Sequence, residues 1–123
     1  MPATQTTQGS LTVAAGSTTT VTGSDMVNHS ARGVKVVVVT TVIGTGSITL
    51  TIQGKDPASG TYYTLLAGAA IVTNTTNVYS VYPGAAATAN VSANDALPGT
   101  WRLLVTANNA NAATYSVGFS TLL

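Results

Sequence analysis

Three consecutive segments decide the fold: GVKVVVVTTVI (residues 33–43), GTG (44–46) and SITLTIQG (47–54). β-Branched residues dominate the first, and its valines fall on both faces of an extended chain. Gly33 to Ile43 is therefore predicted as a central strand with both faces covered at least in part. Gly44-Thr45-Gly46 supplies the glycines of a three-residue hairpin turn. Beyond it, Ile48, Leu50 and Ile52 alternate with Thr49, Thr51 and Gln53, which is the period-two pattern of a half-buried strand.

The same pattern runs outward in both directions. KDPASG (55–60) reads as a turn, with Asp before Pro at its start and Gly at its end. Thr61 to Ala67 follows as a strand, with Tyr62, Thr64 and Leu66 on one face and Tyr63 and Leu65 on the other. Ala69 to Thr73 and Asn77 to Tyr82 are a strand pair or one broken strand, stopped by Pro83-Gly84. Ala85 to Leu97 reads mostly as loop, with one helical turn around Ala93 to Ala96. Thr100 to Ala107 is a strand whose Trp101, Leu103 and Val105 share a face. Asn108 to Ala113 is a hairpin loop before the last strand, in which Tyr115, Val117 and Phe119 alternate with small polar residues. Toward the N-terminus, Leu11 to Ala14 and Thr18 to Thr22 are short strands, and Gly23 to Arg32 is a loop. Seven to nine strands spaced by about ten residues predict an all-β protein, an antiparallel β-sandwich of immunoglobulin-like or jelly-roll type. Residues 1–10, polar and low in complexity, are expected to form a flexible N-terminal arm on a single domain of residues 11–123.

Composition narrows the function. The 123 residues carry four basic and three acidic side chains, a charged fraction of 6%, against about 25% in ordinary domains. There is no Glu and no Cys, while 23 residues are Thr. A net charge of +1 gathers neither nucleic acid nor an anionic membrane. Without Cys there is no disulfide, thiolate metal site or thiol nucleophile. The N-terminal stretch has neither the basic start nor the apolar core of a secretory signal, so synthesis and use without Sec export are expected. The most apolar run, Val34 to Ile43, is about half a membrane-spanning helix in length.

No constellation of reactive groups stands out. His29, the only histidine, lies in a polar loop without a nucleophile elbow, so a triad with Asp25 is not supported. Asp25, Asp56 and Asp95 each sit in a turn context, where such side chains bond their own backbone. No stretch gathers the several oxygens a hard cation needs. Arg32, Lys35, Lys55 and Arg102 are too scattered for a nucleic-acid stripe. The expectation is no enzyme, no cofactor and no metal. Among the seven aromatics, Tyr62, Tyr79 and Trp101 are the candidates for stacking on sugar rings, although alternation within strands explains many of the aromatics as core. The most informative feature is a surface that carries Thr, Ser, Asn and Gln where Lys and Glu are usual. Strands this apolar normally need charges against aggregation. Their depletion is expected where surface is covered in a permanent assembly.

The segment from Ile48 to Leu66, followed by Val81-Tyr82-Pro83-Gly84 and Leu97-Pro98-Gly99-Thr100-Trp101-Arg102, resembles a family of small β proteins encoded in the structural-gene regions of tailed bacteriophages and prophages. The resemblance spans roughly residues 33–122. It implies a virion structural protein with no catalytic residues to carry over. The expectation that follows is a capsid decoration protein on the outer shell. It would bind the major capsid protein and copies of itself, as a trimer or other small oligomer. The arm would make the contact through Pro2, Thr4, Gln5, Thr7 and Gln8. The alternative is a minor tail or tail-tip module that binds glycans through Tyr62, Tyr79 or Trp101.

Overall fold

The computed structural model describes residues 8–123. They form ten strands and, among the described residues, no helix. The strands are β1 (Gln8–Ser17), β2 (Val21–Thr22), β3 (Met26–Val27), β4 (Gly33–Val42), β5 (Ile48–Lys55), β6 (Tyr62–Ala67), β7 (Thr76–Val81), β8 (Ser92–Ala93), β9 (Thr100–Ala107) and β10 (Ala113–Leu122). Sheet A runs β1-β10-β4-β7-β8. Sheet B runs β2-β9-β5-β6, with β3 also paired to β9. The molecule is an antiparallel β-sandwich, with one parallel contact between β7 and β8.

The pairing is nested. β5 pairs β6, β4 pairs β7, β2 pairs β9 and β1 pairs β10. One long hairpin, with its tip between β5 and β6, is rolled so that successive pairs fall in alternate sheets. That is the jelly-roll arrangement, which decides between the two topologies expected. It also corrects two turns. Gly44 takes the left-handed φ of 53° and Gly46 donates its N–H to Ile43, as a tight turn requires. Yet β4 and β5 belong to different sheets, so the chain crosses the sandwich there instead of forming a hairpin. Asn108 to Ala113 makes the same kind of crossing, from β9 to β10. Turn chemistry reports that the chain reverses, not which strand it then pairs with.

Other differences are local. The strand count exceeds seven to nine because β2, β3 and β8 are two-residue pairings. β1 is longer than Leu11 to Ala14 and begins at Gln8, so residues 8–10, expected in the arm, belong to a strand paired with β10. The helical turn around Ala93 to Ala96 is absent; Ser92–Ala93 pairs with β7 instead. In β6 a register shift against β5 leaves Leu65 unopposed, since Gln53 faces Thr64 and Ile52 faces Leu66. That bulge turns Leu66 inward, away from the face shared by Tyr62 and Thr64. Tyr63, by contrast, remains 44% exposed. Its ring covers Gly54, where an added Cβ would lie 2.6 Å from Tyr63 Cζ.

The core lies between the sheets. Val34, Val36 and Val38 of β4, Leu50 and Ile52 of β5, Leu103 and Val105 of β9 and Val117 of β10 are each at most 1% exposed. β4 is central, as expected, but its two faces differ. The inner residues are fully buried, whereas Val37 and Val39 are only half-buried and Lys35 is exposed.

Candidate functional site: the outer face of sheet A

Register builds this face residue by residue. Strand alternation sends every second side chain away from the core, and the pairings align those positions in three rows. The first is Gln8, Ser120, Lys35, Ser80 and Ser92. The second is Ser10, Gly118, Val37 and Val78. The third is Val13, Ser116, Val39 and Thr76. Lys35 is the only charged residue in the three rows. Val13 is 81% exposed and Val78 45%. Gly118 opens a shallow trough of about 370 Å³ bounded by Gln8, Lys35, Val37, Phe119 and Ser120. A Cβ added at Gly118 would meet nothing closer than 3.7 Å.

The outer face of sheet B is organised differently. Asp25, between β2 and β3, accepts a hydrogen bond from Lys55 Nζ at 2.8 Å on Oδ2 and another from Tyr62 Oη at 2.5 Å on Oδ1. The Arg102 guanidinium lies 3.4 Å from the Tyr62 ring centroid, and Arg102 Nε donates to Gln53 Oε1 at 2.8 Å. The cluster therefore straps β9, β5 and β6 to the short β2–β3 segment. The Lys55 hydrogen bond, and then that of Tyr62, hold the Asp25 carboxyl below its ordinary value; Asp25 in turn raises the Lys55 ammonium above its own. A carboxylate with a depressed folded pKa stabilises above its unfolded value and loses that contribution as pH falls through the folded one. The strap is thus intact at neutral pH and released in acid, below the ordinary aspartate value of 3.8. Asp25→Asn is expected to lower the melting temperature at neutral pH and to leave it little changed in acid, so that the two melting curves converge as pH falls. Thermal unfolding of both proteins across that range measures it; a constant gap would show that the carboxylate charge does not hold the strap.

The residues singled out from sequence fall as follows. Pro2, Thr4, Gln5 and Thr7 lie outside the described residues. Gln8 opens β1 and sits in the first row of the sheet A face, paired with Ser120. Trp101 is 1% exposed and Tyr79 4%, which removes both as stacking platforms: each points inward from a strand flanked on both sides. Tyr62 reaches the surface, but a ring face is taken by Arg102. Asp25 spends both carboxylate oxygens on Lys55 and Tyr62, and Asp56 caps its own turn through Ser59 and Ala58. No group of three or more His, Cys, Asp or Glu able to hold a metal occurs among the described residues, and no helix there is long and apolar enough to cross a membrane. Sequence reading missed the Asp25–Lys55–Tyr62–Arg102 cluster because only cross-strand register brings those positions together. It also missed the three rows, whose members come from five strands.

Compared with family models, curated proteins and solved structures, the chain matches none.

Proposed function

We propose that this chain is a structural protein of a tailed bacteriophage virion, a capsid decoration protein that docks on the outer shell and stabilises it by binding the major capsid protein and copies of itself. The observation that carries the reading is the outer face of sheet A, with its exposed valines and a single charge. Soluble monomers keep such patches small or guard them with charge, and a covered surface needs neither. The phage-family resemblance of residues 33–122 points the same way. Jelly rolls recur in viral capsid and lectin domains alike, so the topology by itself agrees with the reading without selecting it. Many shallow contacts repeated around symmetry axes would supply the free energy as avidity. In this reading the protein performs no catalysis and needs no cofactor. The glycan-binding tail alternative loses two of its three rings to the core.

The test is occupancy on purified shells from the phage or prophage that encodes the chain. Full-length protein is expected to cosediment with them at saturable stoichiometry. Deleting Met1 to Thr7, which stops short of the β1–β10 ladder, is expected to lower occupancy while leaving the melting temperature unchanged. Failure of the full-length chain to bind would overturn the reading, and equal binding by the truncated chain would remove the N-terminal segment from it.

A further inference from the structure

The edge and the face of sheet A are defended unequally. β1, the long edge strand, has two register shifts against β10, between Ser10 and Thr12 and between Ala14 and Ser17. Bulges of this kind twist an edge and spoil it as a template for another strand. β8, at the opposite edge, is only two residues long. The face has no such protection. Its second and third rows carry Val37, Val78, Val13 and Val39 among Ser, Thr and Gly, without a charge.

We infer that this face is a contact between two copies of the chain, packed sheet on sheet about a two-fold axis. Charge complementarity selects the occupant. Whatever covers the valines must bring no unpaired charge against them, because burying one is costly. The face itself meets that condition, and a two-fold operation presents it to its own copy. An axis along the middle row, through Gly118 and Val37, sets the first row of one copy against the third row of the other. The two Lys35 side chains then lie at opposite ends of the contact. Each lays its methylenes along the Val39 row opposite and keeps its ammonium in water. Gly118 of one copy then faces Gly118 of the other, so the two troughs meet on the axis.

Size sets the strength. Four strands about 4.8 Å apart, crossed by three rows, make a face of about 400 Å². A standard stable interface covers about 800 Å² on each partner. The contact is therefore weak between isolated copies and becomes effective when many are held close. It forms without a virion, so its test is independent of shell binding.

Sedimentation velocity of the full chain from micromolar to millimolar concentration reads it directly. The mass is expected to rise from the 12.3 kDa of one copy toward twice that value. Gly118→Arg, at a position open to a larger side chain, is expected to stay at one copy throughout. Val37→Lys, on the same row, is expected to do the same. Thr51→Lys, on the outer face of sheet B, is expected to associate like the native chain. Circular dichroism establishes that each variant is folded; if one of the two face variants is not, the other decides. Native protein that remains at one copy at millimolar concentration overturns the inference, and so does native-like association of the folded face variants.

Discussion

Trp101→Ala is expected to destabilise the sandwich by about 3–5 kcal/mol. Trp101 is 1% exposed and points inward from β9 in sheet B. It meets the Phe119 ring of β10 in sheet A edge to face, with centroids 5.2 Å apart and planes at 90°. The indole thus fills the space between the layers and makes an aromatic contact across them. Domains of this kind are held by about 5–15 kcal/mol in total, so the variant loses a large share of its stability. Urea unfolding followed by circular dichroism measures the loss. Trp101→Phe, which keeps most of the ring, is expected to lose less. A midpoint unchanged by the alanine variant would mean that this ring does not join the sheets.

The second large effect comes from a glycine. At Gly33, the first residue of β4, an added Cβ would lie 2.1 Å from the Val81 carbonyl oxygen and 2.7 Å from Tyr82 Cδ1. The obstacle includes backbone, which cannot rotate away. Gly33→Ala therefore forces β4 from β7 at the centre of sheet A and is expected to cost about 1–3 kcal/mol or more. Gly118→Ala is expected to have the opposite sign. Its Cβ enters open space and its backbone is ordinary strand, so it is expected to gain up to about 0.5–1 kcal/mol from the lost flexibility of glycine. Thermal unfolding of the two variants side by side checks the pair. Shifts of the same sign would show that the close approach at Gly33 does not govern the outcome.

These positions also show how much of the molecule was legible in the sequence. Period-two alternation located β4, β5, β9 and most of β10, because each has one buried face and the code for that is local. Trp101, Leu103 and Val105 share one face by alternation alone and lie buried together. Pairing was less legible. Gly44-Thr45-Gly46 marks a tight turn whether the chain forms a hairpin or crosses to the other sheet, and nothing local separates the two. The bulge at Leu65 inverted the expected face of Leu66, since one extra residue reverses a period-two reading. β2, β3 and β8 are too short to have a period. The charge depletion of the surface was visible in composition, but the valine rows on sheet A were not, because Val13, Val37, Val39 and Val78 become neighbours only through register. The same holds for Tyr62, a candidate stacking surface by sequence whose ring lies under Arg102.

Electron cryo-microscopy of shells saturated with this chain images which of its surfaces are covered. Density for the sandwich is expected at symmetry-repeated positions outside the shell, with Val13, Val37, Val39 and Val78 packed against another molecule. Bare shells, or bound chains that present those four valines to solvent, would contradict it.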